Sequence, residues 1–160
     1  MENLRNRLWA ALLAILILSP FAAGPARAVE IEMVKSSGGI EAWLVRDHTN
    51  PIISMRFAFR GGSALDPVKL GGLANMAASL LDEGAGDIKA KAFQGTLEDL
   101  VITLRFDAGR DSLGGRLVSL TENRVTAFNL LKLALTRPRF DTEPVERIRS
   151  QILAGIRQDS

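Results

Sequence analysis

Cysteine is absent from the 160 residues, and histidine occurs once, at His48. Without cysteine there are no disulfides and no lipidated thiol, so the domain must be held by its apolar core. A nitrogen or sulfur zinc site cannot be assembled within such a chain, because those sites take three or four ligands. Repeats, low-complexity tracts and linkers are also missing. A surplus of one charge is lacking as well: before Val29 the chain has three arginines and one glutamate, and from Val29 onward 17 basic residues meet 17 acidic ones. A polyanion-binding domain is expected to keep a basic excess gathered on one face, and no such cluster is legible, so no nucleic-acid partner is expected.

The amino terminus has the order of an export signal. Arg5 and Arg7 precede an unbroken apolar run from Leu8 to Leu18, and Pro20 and Gly24 lead to Ala26-Arg27-Ala28. A basic start, a short apolar stretch and an Ala-x-Ala site predict cleavage before Val29. A membrane span needs about 20 apolar residues, and Pro20 interrupts this run well short of that. The expected organisation is a signal peptide over 1–28 and one domain over 29–160, periplasmic or secreted. The helix that reaches Ser160 meets no cap or breaker, so the domain reads as truncated at its C-terminal end.

Within that domain strands come first. Ile31 to Lys35 and Ile40 to Arg46 flank the turn Ser36-Ser37-Gly38-Gly39. In the next run Ile53, Met55, Phe57 and Phe59 alternate with Ser54, Arg56 and Arg60, which predicts a strand with one covered face. Leu70, Leu73, Ala74, Ala77, Leu80 and Leu81 recur at helical spacing, with Gly84 and Gly86 as the stop. A second helix after Asp87 carries Ala90, Phe93, Leu97 and Leu100 on one face. Two further strands are read around Ile102, Leu104 and Phe106 and over Leu113 to Leu120. Thr121 caps a third helix with the stripe Val125, Phe128, Leu131 and Leu135. Thr142 and Pro144 open a fourth, whose Val145, Ile148, Ile152 and Ile156 are expected to face the core. The order β-β-β-α-α-β-β-α-α predicts an α+β fold, a two-layer sandwich of a mainly antiparallel sheet with helices on one face.

Few residues offer chemistry. His48, in Arg46-Asp47-His48-Thr49-Asn50-Pro51, reads as an exposed turn residue rather than a general base, since sequence neighbours rarely supply a positioned partner. Asp82, Glu83 and Asp87 lack the calcium-loop spacing and its closing bidentate glutamate, so they read as a solvated helix end. Gly61-Gly62-Ser63 and Gly71-Gly72 lack the Gly-Lys-Ser/Thr ending of a phosphate loop and read as turn and packing glycines.

The segment from Arg60 to Gly84, with Gly-Gly-Ser, then Asp66-Pro67, then Gly72-Leu73-Ala74 and the helix that follows, resembles the signature of the insulinase or pitrilysin family of zinc peptidases. The resemblance runs in order through the whole domain and implies the processing-peptidase-like metallohydrolase fold. In active members His-x-x-Glu-His follows Gly-Leu-Ala: two histidines at i and i+4 grip one zinc, and the glutamate activates its water. Here those positions hold Asn75, Ala78 and Ser79. The family's third ligand, a glutamate about 75 residues further on, falls at Ala154 or Gly155. No catalytic, cofactor-binding or metal-binding residue is therefore assigned.

The pattern is similar to the degenerate sister chain of a two-subunit bacterial branch. That implies a pseudopeptidase subunit that pairs with an active His-x-x-Glu-His subunit, holds no zinc itself, and helps form a chamber for peptide or unfolded protein. A free-standing exported peptide-binding protein is the alternative, and relocated catalysis finds no acid, base and nucleophile set to carry it.

Overall fold

The computed structural model describes residues 29–158. The export signal expected over 1–28 and the chain end at Ser160 lie outside the described residues. The chain divides into two units, Met1–Asp47 and His48–Ser160.

In the first unit β1 (Ile31–Lys35) and β2 (Glu41–Val45) form an antiparallel hairpin. Its turn is closed by the Ser36 hydroxyl, which accepts the Ile40 N–H at 3.0 Å. The Lys35–Glu41 and Arg46–Glu32 ion pairs, at 2.9 and 3.0 Å, sit near opposite ends of the ladder. His48 follows it, exposed and outside any strand, as expected.

The second unit is built on β3 (Ile52–Arg60), β6 (Thr103–Ala108) and β7 (Ser112–Leu120), an antiparallel sheet in the order β3-β7-β6. Between β3 and β6 run α1 (Leu73–Leu80), a two-residue ribbon of β4 (Gly84–Ala85) with β5 (Ile88–Lys89), and α2 (Ala90–Asp99). After β7 come α3 (Arg124–Thr136) and α4 (Thr142–Gln158). The predicted element order holds, with the ribbon as an addition. It escapes a periodicity argument because two residues are too few to show alternation.

Register explains the covered face. Met55, Leu117 and Leu104 lie side by side across the three strands, as do Phe57, Gly115 and Phe106. On this face Phe93 and Leu97 of α2 and Ala127, Leu130, Leu131 and Ala134 of α3 complete one core with Leu104 and Leu117. This is the expected mixed α/β arrangement, an antiparallel sheet with helices on one face. Helix α1 contacts β6, the terminal strand, and α4 packs against α1.

Two helical stripes differ from expectation. Val125 and Phe128 are 64% and 41% exposed, because α3 turns its small-residue face, Ala127 and Ala134 with Leu130 and Leu131, onto the sheet. Small side chains let the helix approach closely, and the pattern of large residues concealed that face. On α4, Val145, Ile148 and Ile152 are half-buried but Ile156 is 61% exposed. Thr121 starts a short 3-10 turn, Thr121–Asn123, and makes no side-chain cap.

The opposite sheet face carries an arrangement the linear sequence hides. Arg56 on β3 pairs in register with Arg116 on β7, and Arg116 with Arg105 on β6. Three exposed arginines thus form one row. The expectation that no basic cluster exists is corrected: the residues are far apart in sequence, and only strand pairing brings them together.

Candidate functional site

The entry to α1 is a loop held in three ways. Gly62 has φ 111°, and a Cβ there would stand 2.4 Å from the Gly109 carbonyl oxygen, so only glycine fits. That close approach docks the loop on the β6–β7 turn, where Gly61, Ser63 and Ala64 N–H groups donate to the carbonyls of Asp111, Gly109 and Arg110 at 3.0, 3.0 and 2.8 Å. Asp66, from the Asp-Pro pair, then reaches forward. Its carboxylate accepts the Gly72 N–H at 2.8 Å and the Ala74 N–H at 2.9 Å. These are first-turn amides without intrahelical partners, and a carboxylate there also favours the positive end of the helix dipole. Gly72 takes a left-handed conformation, φ 92°, to turn the chain into the helix.

On α1 the structure places the three motif positions in distinct surroundings. Asn75 is exposed, Ala78 is 1% exposed, and Ser79 is half-buried. The Ser79 hydroxyl donates to the Asn75 carbonyl oxygen at 3.0 Å, an internal helix bond. Ser79 lines a cleft of about 360 Å³ together with Asp82, Glu83, Arg105, Arg147 and Gln151. Gly155 lies one turn beyond Gln151 on the same side of α4, and a Cβ there would meet nothing within 4 Å. Ala154, beside it, is exposed.

This donor set does not fit zinc. One amide, one hydroxyl already committed to a carbonyl, a methyl and a glycine supply neither imidazole nor carboxylate. Among the described residues no group of three or more His, Cys, Asp or Glu is placed to hold a metal ion.

Ion pairs occupy the cleft. Asp82, with its side chain only 13% exposed, accepts Arg105 Nη1 at 3.1 Å. Glu83, 12% exposed, accepts Arg147 Nη2 at 2.6 Å and so ties the end of α1 to α4. Gln94 Nε2 donates to the Asp82 carbonyl oxygen at 2.8 Å. Burial raises the Asp82 pKa above its ordinary value, opposed by backbone hydrogen bonding and by Arg105. The solvated helix end expected for Asp82, Glu83 and Asp87 is thus corrected for the first two, and only Asp87, 99% exposed, matches it. Sequence reasoning missed Arg105, Arg147 and Gln94 because none is near α1 in sequence. Between α3 and α4, Arg139 grips Asp141 through two bonds, 2.8 and 3.1 Å, and donates to the Gly86 carbonyl oxygen at 2.9 Å. The Asp141 pKa is lowered, first by that Arg139 bond.

Sheet, core helices and a loop-capped helix beside the terminal strand define the class, a two-layer α+β domain with an antiparallel sheet. No family model matches the chain. A curated relative, the non-peptidase homolog YmxG of Helicobacter pylori, is 33% identical over 112 residues, which cover 70% of this chain and 26% of the relative. A crystal structure of a peptidase M16 inactive domain from Pseudomonas fluorescens superposes with a TM-score of 0.72 at 25% identity, covering 79% of this chain and 31% of that one. A protease from Helicobacter pylori shares the fold, with a TM-score of 0.66 at 17% identity over 82% of this chain and 31% of that one. In sequence and fold the chain is M16-like, similar to a non-peptidase homolog and to an inactive M16 domain. It spans about a quarter of the length of the curated relative it matches.

Proposed function

We propose that this chain is a non-catalytic subunit of an exported M16-family zinc peptidase, which pairs with an active His-x-x-Glu-His subunit and helps enclose peptide or unfolded protein. The observation that carries the reading is the contrast around α1. The loop that positions the helix is complete, with Gly62 docked and Asp66 capping, while Asn75, Ala78, Ser79 and Gly155 offer nothing to a metal. A helix held this firmly without reactive groups serves shape and not bond cleavage. Zinc belongs to the partner in this reading, and cleavage before Val29 delivers the chain to the periplasm or beyond.

Co-expression with a zinc-bearing relative, followed by size-exclusion chromatography, tests the pairing. Co-elution at micromolar concentration is the expected outcome. Separate elution, with this chain retaining peptides by itself, would replace the subunit by a free-standing binding protein.

A further inference from the structure

We infer that the open face of the β3-β7-β6 sheet is a docking surface for an acidic segment of a client polypeptide, with the Arg56–Arg116–Arg105 row as its recognition element. Three arginines side by side are a costly choice. Directly opposed like charges on neighbouring strands destabilise a sheet, and Arg116 has an arginine in register on each side. Arg105 relieves part of this through Asp82. Arg56 and Arg116 have no ion pair among the described residues. The same face carries one acid next to the row, Asp107, in register with Gly114.

The surroundings choose the kind of anion. One residue pair from the row, Ser54, Val118 and Thr103 stand in register, and beyond them Ile52 pairs with Leu120. Ile52 is 51% exposed, so an apolar pair lies two rows from the arginines, beyond the hydroxyls of Ser54 and Thr103. Arginine with hydroxyls and some exposed apolar surface nearby suits a polypeptide. A nucleic acid takes its affinity from many phosphate contacts and a wide basic surplus, whereas this chain is charge-neutral from Val29 onward. Neighbouring strands are about 4.8 Å apart, so the row is about 10 Å long. Carboxylates on successive turns of a peptide helix, roughly 5–6 Å apart, match that spacing. That the polypeptide is a client rests also on the proposed role in peptide handling.

Fluorescence anisotropy with the whole chain tests the surface without requiring a partner subunit, so failure to pair and failure of this surface are read separately. The probe is a labelled peptide with glutamate at every fourth position and leucine between. It is expected to bind, with affinity falling as salt rises, and to lose roughly tenfold in an Arg56→Gln/Arg116→Gln variant whose circular dichroism is unchanged. The Arg116→Thr variant should melt a few degrees higher, since it removes the central repulsion. The inference is overturned if the double variant binds like the parent, if a lysine version of the peptide binds as well, if oligothymidylate binds more tightly than the peptide, or if Arg116→Thr does not raise the melting midpoint.

Discussion

The core between sheet and helices and the cleft at the end of α1 lie in the same unit and are held by different forces. In the core Phe93, Leu104 and Leu117 are fully enclosed, and apolar burial alone accounts for their order. At the start of α1 a distant carboxylate caps the helix, and at its end, in the cleft, two arginines hold two largely buried acids. Loss of volume in the core is costly. The cleft keeps its shape without imidazoles, because Glu83 and Arg147 tie α1 to α4 while Ser79 bonds only to Asn75 within its own helix.

Substitutions break that comparison in graded steps. Phe93→Ala should cost about 3–5 kcal/mol in urea unfolding, as an enclosed ring replaced by a cavity does. Gly62→Ala should cost about 2 kcal/mol or more, because the new methyl meets backbone oxygens and the φ is left-handed. Its counterpart Gly155→Ala, in open space on a helix, should instead stabilise by about 0.5–1 kcal/mol. Asp66→Ala should cost about 1 kcal/mol through the lost cap, and Asp66→Asn less. Glu83→Gln should cost about the same 1 kcal/mol, limited by the solvent that reaches Arg147.

The smallest effect is one of pH, and its sign separates two carboxylates. Asp141 has a lowered folded pKa, so its contribution is present above the ordinary carboxylate range and is lost as pH falls through the folded value. Asp82 has a raised one, so its charged form opposes folding and stability falls as pH rises from the ordinary value through the folded value. Melting midpoints measured from acid to neutral pH should show Asp141→Asn losing ground to the parent as pH rises, and Asp82→Asn gaining.

Much of the core was legible in sequence, because strands with period two and helices with large apolar residues announce their faces. Phe93 and Leu97 were readable in that way, and so were Met55 and Phe57. Helix α3 was not, since its buried side is partly alanine and periodicity is weak when small residues make the contact. The capping of α1 by Asp66 was hidden because a cap is sought next to the helix start, and here the loop brings it from six residues before Gly72. Pairings such as Glu83 with Arg147, 64 residues apart, and the row Arg56, Arg116 and Arg105 depend on tertiary register, which composition cannot show. The motif positions Asn75, Ala78, Ser79 and Gly155 were found only through family resemblance, since nothing about an asparagine or a glycine marks it as a place where chemistry is missing.

The central claim is that this chain serves by association and not by reaction. Peptidase activity of a zinc-bearing relative, titrated with this chain, tests it most directly. The account predicts activity that rises to saturation at one chain per relative and is unchanged when Asn75→Ala and Ser79→Ala are introduced together. A relative that is fully active alone, or activity that vanishes with those two substitutions while the complex still forms, would contradict it.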